Sequence, residues 1–335
     1  MTATPHLLVD PGRVEANLAR THAALSGLAV RPHAKTHKSL EVARRQLAAG
    51  AVGLSVATVS EAEVFAQVCD DLFIAYPVFL DAERTARVRA LGERARVSVG
   101  ISGTEALPQL PGLHVLVEVD PGMGRSGAPA ADAGRIAAAA RDAGLVVDGV
   151  FAFPGHSYSP DGRAAAAADE ARELARAVES LAAEGVAARV VSGGSTPSLG
   201  FADRDVLTEY RPGVYVFGDA QQWELGTTDP ADIALTVVAT VVARFPGRVV
   251  ADAGSKVLGA DRPGYASGFG RLLDHPDARV SALSEHHATI TGFDAPVGTR
   301  VRLVPNHVCS AVNLADELQV VGSQPWRVDA RGCNA

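Results

Sequence analysis

The amino-acid sequence predicts an α/β protein: an N-terminal (β/α)8 TIM-type barrel over residues 8–229, then a C-terminal, mainly-β domain over residues 230–335 that also takes in the first few residues. Two observations predict this division. Up to about residue 220, short β-branched runs alternate with Ala-, Leu- and Arg-rich helical stretches, which is the pattern of consecutive βα units. After about residue 230, strand-like runs follow one another with almost no helical pattern between them, which indicates a separate β domain.

Eight runs of β-branched and other apolar residues are predicted to be the barrel strands: Ala29–Arg31, Gly53–Val56, Leu72–Ala75, Val97–Ile101, Val115–Val119, Val147–Phe153, Arg189–Ser192 and Val214–Phe217. The predicted helices are Pro11–Leu28, Leu40–Ala49, Ser60–Gln67, Asp81–Gly92, Ala130–Ala143 and Gly162–Gly185. The strands of the β domain are predicted at Ile233–Phe245, Arg248–Ala253, Ala278–Ile290, Thr299–Val304, Glu317–Val321 and Trp326–Val328. In such a barrel the loops after the carboxyl ends of the strands carry the chemistry, so residues there are the first candidates for a functional site.

Composition and charge exclude several classes of protein. The chain has 31 Lys and Arg residues against 38 Asp and Glu residues, a formal net charge of −7, and no basic stripe, so nucleic-acid binding is not expected. The longest apolar stretch, residues 233–243, has about half the length of a membrane span, and the N-terminal segment lacks the pattern of a secretory signal. Cys69, Cys309 and Cys333 are too few for a disulfide framework. We therefore expect a cytoplasmic protein that contacts neither nucleic acid nor a membrane.

The segment RPHAKTHKS, residues 31–39, places Lys35 at the end of the first predicted strand, between His33 and His37. A lysine directed into a barrel mouth is costly to bury unless its pKa falls or it forms a covalent bond. Such a lysine is suited to forming a Schiff base with the carbonyl group of a cofactor or substrate. A surface loop with ordinary charges is an equally good reading of this segment by itself.

The segment VEVDPGMGRSG, residues 117–127, contains the GxGxxG spacing of dinucleotide sites at Gly122, Gly124 and Gly127. The next predicted strand lacks the acidic residue that would bind a ribose hydroxyl, and Arg125 interrupts the glycine run. We therefore interpret the glycines as a tight loop that directs Arg125 towards the barrel mouth.

Two loops at consecutive predicted strand ends are suited to binding phosphate. SGGSTPS, residues 192–198, follows the seventh strand and offers backbone N–H groups together with hydroxyl groups. YRPGVYVFGD, residues 210–219, lies at the eighth strand, where Gly213 permits close approach. Phosphate commonly binds after strands 7 and 8 of this fold, which favours a phosphate site over two ordinary turns.

The segment FPGHSY puts His156 and Tyr158 just after the sixth predicted strand. An isolated histidine is usually structural. At a strand end after a Pro-Gly bend, however, it is a good candidate for acid–base catalysis or for stacking on a ring.

The segment LVPNHVCSAVNL, residues 303–314, contains His307 and Cys309, which point in the same direction if the segment is extended. An imidazole and a thiolate on one face suit Zn²⁺ or another divalent metal, and two protein ligands leave positions open for a substrate. Three residues of LSEHHATI are candidates for a third ligand or for a partner that orients a ligand: Glu285, His286 and His287. A buried cysteine beside a hydrogen-bonded histidine is the alternative.

Together these motifs resemble the D-threonine aldolase/D-serine dehydratase family, pyridoxal-phosphate (PLP) enzymes of fold type III whose barrel is similar to that of alanine racemase. The resemblance extends from about residue 6 to the end of the sequence. It is carried by motifs that occur in the same order in the family: RPHAKTHKS, DPGMGRSG, GHSY, SGGSTPS, RPGVYVFGD, DAGSK, SEHH and PNHVC followed by NL.

The resemblance implies that Lys35 holds PLP as a Schiff base and that further residues bind the cofactor: Arg125, His156, Tyr158, Gly193, Gly194, Ser195, Thr196, Arg211 and Gly213. The loop SGGSTPS, residues 192–198, which contains Ser195 and Thr196 and is called the Ser-Thr loop below, would bind the phosphate together with the Gly213 region. The two arginines would approach the pyridine ring. If an arginine faces the ring nitrogen, the ring stays unprotonated and is a weaker electron sink. Assistance at the β-hydroxyl group of the substrate would then matter more.

The resemblance also implies that His307 and Cys309 hold a divalent ion, Zn²⁺ or Mn²⁺, which acts as a Lewis acid on that hydroxyl group. With His156 as the base, a retro-aldol reaction would cleave D-threonine to glycine and an aldehyde. The alternative is dehydration of D-serine or another 3-hydroxy-D-amino acid to a keto acid and ammonia, with Lys35 removing the α-proton. The His-x-Cys pair resembles the dehydratases, whereas the short chain and the PNHVC…VNLAD context resemble bacterial aldolases. We predict the aldolase reaction.

A head-to-tail homodimer with the active site at its interface is a further implication of the resemblance. Two other classes of protein share the barrel. An amino-acid racemase would need a second base, for which Tyr265 is available in the β domain, and would need no metal. A PLP carrier protein would consist of a single barrel, so the additional β domain argues against it.

Overall fold

The computed structural model describes residues 2–335, which form two compact units. One unit contains a largely antiparallel sheet and the other a parallel sheet. The antiparallel unit consists of the chain up to Arg20, Thr36–Glu41 and Val214–Gly332, and the parallel unit consists of Thr21–Lys35, Val42–Gly213 and Cys333–Ala335. None of the helices within residues 2–335 is both long enough and apolar enough to cross a membrane.

The strands, in chain order, are β1 His6–Val9, β2 Ala29–Val30, β3 Leu54–Val56, β4 Asp71–Pro77, β5 Arg96–Ile101, β6 His114–Glu118, β7 Val146–Phe151, β8 Val190–Gly193, β9 Glu209–Tyr210, β10 Leu235–Phe245, β11 Arg248–Ala251, β12 Gly270–Leu272, β13 Arg279–Leu283, β14 Ala288–Thr291, β15 Arg300–Pro305, β16 Glu317–Val320 and β17 Trp326–Arg327. The α-helices are α1 Pro11–Ala24, α2 Leu40–Ala48, α3 Val59–Phe65, α4 Ala82–Gly92, α5 Ala133–Asp142, α6 Arg163–Ala183, α7 Ala220–Glu224, α8 Ser255–Leu258 and α9 Val308–Leu314. Short 3-10 turns occur at Ala34–Thr36, Ala130–Asp132, Gly155–Ser157, Leu199–Phe201, Val214–Val216 and Pro230–Asp232.

The parallel sheet has the strand order β2-β9-β8-β7-β6-β5-β4-β3. The two strands at the ends of this order are joined through a parallel bridge between His33 and Ser55 and by a 3.0 Å hydrogen bond from the Val52 N–H to the Val30 carbonyl. Apolar side chains pack on the interior face, where the rings of Phe73 and Phe151 meet edge to face with their centroids 4.9 Å apart. Because every described pairing in this sheet is parallel, the carboxyl ends of all its strands lie at the same edge.

Seven of the eight predicted barrel strands overlap β2–β8, but the eighth prediction is wrong. Val214–Val216 forms a 3-10 turn, and the eighth strand is Glu209–Tyr210. The strand is only two residues long, and Glu209 is buried against Arg31, whose Nε donates to its carboxylate at 2.6 Å. A pattern of β-branched residues does not predict a two-residue strand one of whose buried side chains is a charged glutamate. Lys35 also lies beyond its strand, in the turn Ala34–Thr36.

The antiparallel unit has the strand order β11-β14-β13-β12-β15-β10-β1-β16-β17, in which only the described pair β1–β16 is parallel. The predicted run Ala278–Ile290 is in fact a hairpin, because β13 and β14 pair with each other across a turn at residues 284–287. The sequence pattern also missed the short helices α8 and α9 of this unit.

Candidate active site

The polar residues singled out in the parallel unit lie on loops that follow five neighbouring strands of its sheet. In strand order they are Lys35 after β2, Arg211 and Gly213 after β9, Ser195 and Thr196 after β8, His156 and Tyr158 after β7, and Arg125 after β6. The register aligns the ends of these strands, since Val30 pairs with Tyr210 and Tyr210 pairs with Gly193. Parallel strands carry their functional loops at this edge, so the structure brings the predicted residues to one site.

Lys35 is half-buried in the 3-10 turn Ala34–Thr36, which follows β2. The His33 N–H donates to the carbonyl of Pro212 at 2.9 Å, which ties this segment to the loop after β9. The Nζ atom of Lys35 lies 5.9 Å from the centroid of the Phe153 ring. The chain contains only three lysines, and the other two, Lys38 and Lys256, belong to the antiparallel unit.

Arg125 approaches the same aromatic ring, with its guanidinium carbon 5.1 Å from the centroid of Phe153. The loop that carries Arg125 is folded around Asp120, whose carboxylate accepts the N–H groups of Gly122 and Gly124 at 3.0 and 3.1 Å. These N–H groups are therefore directed at a side chain of their own loop. The geometry agrees with the sequence-based interpretation of a tight loop that presents Arg125, and it does not form a dinucleotide cradle.

The Ser-Thr loop carries a cluster of buried hydroxyl groups. The Oγ atom of Ser195 lies 2.8 Å from those of Ser157 and Ser198, and the Oγ atom of Ser198 lies 2.9 Å from the hydroxyl oxygen of Tyr210. The Tyr210 hydroxyl donates to the Ser195 carbonyl at 2.9 Å. Ser198 and Tyr210 belong to the two segments predicted to bind phosphate but were not singled out as site residues, and Ser157 lies between the predicted His156 and Tyr158. Rotatable hydroxyl donors are groups that suit a phosphate, whereas the N–H groups of Gly194 and Ser195 donate within the protein, to Glu170 and Ser198.

Gly194 is a position where this loop requires glycine. Its φ is +93°, and a Cβ atom there would lie 2.3 Å from the Tyr210 ring. Its N–H donates at 2.8 Å to the carboxyl group of Glu170 on α6. Burial raises the pKa of Glu170 to about 8, although the Gly194 hydrogen bond and Arg211 act in the opposite direction. The sequence around Glu170 does not distinguish it from the other glutamates of this long helix, so sequence analysis did not predict its role.

The side chain of Arg211 is buried and is held by hydrogen bonds to residues at the ends of β7 and β8. It donates to the hydroxyl of Ser192 and to the carbonyl of Ala152, each at 2.5 Å, and its guanidinium carbon lies 5.4 Å from the centroid of Phe151. Burial lowers its pKa, while Glu209 and other acidic residues raise it. Arg211 is thus a fixed buried cation, whereas Arg125 is exposed.

His156 has two buried ring nitrogens that make no hydrogen bond within residues 2–335. Its Nε2 lies 3.5 Å from a carboxylate oxygen of Asp169, close enough for electrostatic attraction but without hydrogen-bond geometry. The ring of Tyr158 is tilted towards that of Phe153, with the centroids 6.4 Å apart. Buried polar atoms normally have partners, so an imidazole in this state fits a site that a polar ligand completes. The hydroxyl cluster, the glycine contact and this imidazole together fit a phosphorylated aromatic cofactor.

His307 and Cys309 lie in the antiparallel unit, and the expectation of an extended segment is wrong. His307 is the residue before α9, and Cys309 lies in its first turn. The buried carboxylate of Asp219, 89 residues away, accepts the Val308 N–H at 3.2 Å and thereby holds the start of this helix. Burial raises the pKa of Asp219 to about 6, while the charge of His307 lowers it.

The two side chains nevertheless interact. The negative charge of Cys309 raises the pKa of His307 to about 10, and burial opposes this shift. The Nδ1 atom of His307 lies 2.5 Å from a carboxylate oxygen of Asp261, which also accepts the Ser310 hydroxyl at 2.8 Å. A carboxylate can only accept, so Nδ1 carries a proton and Nε2 is the atom left for a metal. A histidine ligand oriented by a carboxylate in this way is typical of metal sites.

The three residues predicted as a third metal ligand are not arranged to bind a metal ion together with His307 and Cys309. Glu285 forms an ion pair with Lys256 at 2.7 Å, and His286 and His287 are exposed on the turn between β13 and β14. Within residues 2–335, no group of three or more His, Cys, Asp or Glu side chains is arranged to hold a metal ion. The donor set is therefore limited to an imidazole and a thiol, with Asp261 as the residue that orients the imidazole.

Two family models match the chain: "Alanine racemase, N-terminal domain" over residues 9–221 and "Putative serine dehydratase domain" over residues 234–321. The D-threonine aldolase of Arthrobacter sp. is 34% identical over an alignment 361 positions long, gaps included, which covers 98% of this chain and 93% of that protein. D-threo-3-hydroxyaspartate dehydratase of Delftia sp. strain HT23 is 33% identical over an alignment 348 positions long, which covers 92% and 91%. The chain belongs to the D-threonine aldolase/D-serine dehydratase family. The resemblance predicted from the motifs is thereby confirmed.

Solved structures of this D-threonine aldolase/D-serine dehydratase family share the fold. The D-threonine aldolase of Filomicrobium marinum has a TM-score of 0.88 at 31% identity, covering 99% of this chain and 96% of that one. The Delftia dehydratase has a TM-score of 0.88 at 30% identity, covering 98% and 97%. In two variants of that dehydratase, alanine replaces a histidine or the cysteine two positions later, and the cysteine variant is in a metal-free form. The fold is therefore alanine racemase-like, with an eight-stranded parallel sheet and a second, largely antiparallel sheet.

Proposed function

We propose that the protein is a PLP- and divalent-metal-dependent lyase that acts on D-3-hydroxy amino acids, and that its reaction is the D-threonine aldolase type of retro-aldol cleavage. One observation carries the proposal: Lys35, the Ser-Thr loop and His156, whose ring nitrogens make no hydrogen bond within the described residues, lie on loops after neighbouring strands in a chain that belongs to the D-threonine aldolase/D-serine dehydratase family. The products would be glycine and an aldehyde.

Lys35 is the residue that would bind PLP covalently, and the hydroxyl cluster at Ser195 would bind the phosphate group. PLP, when bound, supplies the electron sink that stabilises negative charge at the substrate Cα. The arginine side chains supply the charges that orient it, with Arg211 held by Ser192 and the Ala152 carbonyl, and Arg125 against Phe153. Thr196 and Gly213, at the ends of their strands, complete the phosphate-binding loops.

His156 is the base that would take the proton of the substrate β-hydroxyl group. Its ring nitrogens have no competing hydrogen bond within the described residues. Asp169, 3.5 Å from Nε2, would stabilise the imidazolium that forms when the proton arrives. Tyr158, beside Phe153, would help to enclose the aromatic cofactor.

His307 and Cys309 would hold a divalent ion, Zn²⁺ or Mn²⁺, with Asp261 orienting the imidazole. Such an ion supplies a Lewis acid for the β-hydroxyl oxygen of the substrate. The proposal is supported by the donor set, which is typical of borderline metals. It is also supported by the Delftia dehydratase, in which a histidine and a cysteine have the same spacing and the structure with alanine at the cysteine is of a metal-free form.

A dehydratase is the second candidate function, and His307 and Cys309 favour it. D-threo-3-hydroxyaspartate dehydratase of Delftia has a histidine and a cysteine at this spacing. In that reaction Lys35 would remove the α-proton, and hydroxide would leave from Cβ. The product would be a keto acid together with ammonia. A racemase is less favoured, because it would have no use for His307 and Cys309.

We also propose the finer architecture. The bridge between His33 and Ser55 supports closure of the parallel sheet into a TIM-type (β/α)8 barrel. Residues 8–229 would form the PLP-binding domain, and residues 230–335 with the first few N-terminal residues would form the metal-binding β domain. The family resemblance supports a homodimer with the active site at its interface. None of the three cysteines forms a disulfide, which supports a cytoplasmic location. We expect no nucleic-acid or membrane partner.

Product analysis tests the proposal. The PLP-loaded protein is incubated with D-threonine and with D-serine, each with Mn²⁺, with Zn²⁺ and with EDTA. Metal-dependent formation of glycine and acetaldehyde from D-threonine is expected. Pyruvate and ammonia from D-serine would establish the dehydratase instead, and metal-independent interconversion of enantiomers would establish a racemase. The Lys35→Ala variant is the control, and absence of turnover of any D-amino acid by the wild type would contradict an enzymatic role.

A further inference from the structure

Glu170 is a buried carboxyl group that the proposed reaction does not use. It lies in the middle of α6 and is 2% exposed, and its Oε1 accepts the Gly194 N–H at 2.8 Å. A Cβ atom on Gly193 would lie only 2.7 Å from the same oxygen, so the carboxyl group packs closely against the loop. The side chain of Glu170 therefore fixes the backbone on which the proposed phosphate site is built.

Few charged groups face Glu170. The guanidinium of Arg211 and the hydroxyl of Tyr210, both buried, are those that interact with it electrostatically. His156, on the 3-10 turn that packs against α6, faces Asp169 instead. One N–H bond and one arginine do not offset the burial, which raises the pKa of Glu170 from 4.5 to about 8. The neutral acid is therefore the main form at neutral pH.

We propose that Glu170 is a positioning residue for the cofactor phosphate: as a neutral acid it holds Gly194 in the phosphate-binding conformation, and its ionisation weakens phosphate binding. This inference rests on the proposed PLP site. A bound phosphate group carries about two negative charges, and a second anion buried beside the same loop repels it strongly where water is excluded. PLP affinity consequently falls as Glu170 ionises.

The test compares dissociation constants for PLP in the full-length apoprotein and in the variant Glu170→Gln, between pH 7 and pH 9. Glutamine has the same size, is neutral and keeps an oxygen that can accept the Gly194 N–H. We expect the ratio of the wild-type constant to the variant constant to rise about tenfold over this range, which corresponds to about 1.4 kcal/mol. Ionisations that are common to both proteins cancel in this ratio.

Pyridoxal, which lacks the phosphate group, is the second probe, and its ratio should stay constant with pH. Glu179→Gln, an exposed position on the same helix, is the matched control and should behave as the wild type does. If Glu170→Gln does not fold, the wild type alone suffices, because its affinity for PLP should fall about tenfold more than its affinity for pyridoxal over the same range.

Two results would overturn the inference while leaving the proposed function intact. One is tight PLP binding with the same pH dependence in wild type and Glu170→Gln, and the other is an equal effect on PLP and pyridoxal. A different result would overturn the proposed function and the inference together: a wild type that binds PLP no better than pyridoxal, or that does not bind PLP at all.

Discussion

The ring of Tyr210 packs against Gly194 so closely that a Cβ atom on Gly194 would lie 2.3 Å from ring carbon Cζ. Tyr210 ends the last parallel strand and Gly194 begins the Ser-Thr loop, so this contact links two of the neighbouring strand ends. The φ of Gly194, +93°, is also one that residues with a side chain rarely adopt. The conformation of the loop is therefore set by an aromatic side chain from the adjacent strand.

Gly194→Ala should weaken PLP binding at least tenfold and lower the free energy of unfolding by about 1–3 kcal/mol, because the added methyl group must displace the Tyr210 ring. Cofactor titration and urea unfolding measure the two effects. Gly200→Ala is the matched control, since a Cβ there would contact nothing and its φ is ordinary. Equal behaviour of the two variants would contradict the role assigned to the Tyr210 contact.

Lys35→Ala should abolish the visible absorbance of lysine-bound PLP and all turnover, because the chain offers no other lysine in the parallel unit. Absorbance spectra of the reconstituted variant, with borohydride reduction and peptide mapping of the wild type, provide the measurement. Lys256→Ala, which changes an exposed lysine paired with Glu285, should keep the spectrum of the wild type. An unchanged spectrum in Lys35→Ala would refute the assignment.

His156→Asn should reduce kcat for D-threonine cleavage by about 100-fold or more while leaving the absorbance of bound PLP in place. The reason is that a proton acceptor is lost without loss of the covalent attachment site. Steady-state kinetics on fully loaded protein measure the effect. His287→Asn, on an exposed turn of the other unit, should leave kcat unchanged. A wild-type kcat in the His156 variant would show that another group accepts the proton.

His307→Ala and Cys309→Ala should each lose most of the bound metal and most of the turnover, because each removes one of two protein ligands. Metal content is measured by atomic emission, and PLP content is measured from absorbance in the same samples. PLP content should stay near that of the wild type. The control variant Cys333→Ala also loses a thiol and should keep the metal content and turnover of the wild type. If PLP and activity decline together while metal content stays unchanged, the pair is structural.

The free energy of unfolding of the apoprotein should depend on pH through Glu170. The pKa is raised in the folded state from 4.5 to about 8, so the folded state holds the proton more tightly than the unfolded state does. The stabilising contribution of this group is complete below pH 4.5 and is lost as the pH rises towards and through 8, at no more than about 1.4 kcal/mol per pH unit.

Glu170→Gln should therefore become more stable relative to the wild type at each step from pH 5.5 to pH 8.5. Urea unfolding at several pH values measures the difference between the two proteins. Glu179→Gln should show no such trend. Stability curves of wild type and Glu170→Gln that run parallel across this range would mean that Glu170 is not protonated in the folded protein.

Much of the parallel unit is predictable from its sequence because the signals are local. Seven strands are runs of apolar residues that end at loops, and Lys35, Arg125 and His156 lie on the loops that follow three of these strands. The Ser-Thr loop is recognisable because glycine and hydroxyl residues have few other uses at a strand end. The family follows from the order of such motifs along the chain, which requires no knowledge of side-chain contacts.

Other features depend on contacts between residues that are distant in sequence, and only the tertiary structure decided them. β9 is a strand because its two residues pair with both β2 and β8, and Arg31 neutralises the buried carboxylate of Glu209 beside it. The segment after His307 is a helix because Asp219, from a different part of the chain, accepts the Val308 N–H. Glu170 differs from the other glutamates of α6 because it meets Gly194 away from water, and burial determines the ionisation of a carboxyl group. The sequence by itself determined the family and seven of the eight strands of the parallel sheet, whereas burial and long-range partners decided which side chains are held, charged or neutral.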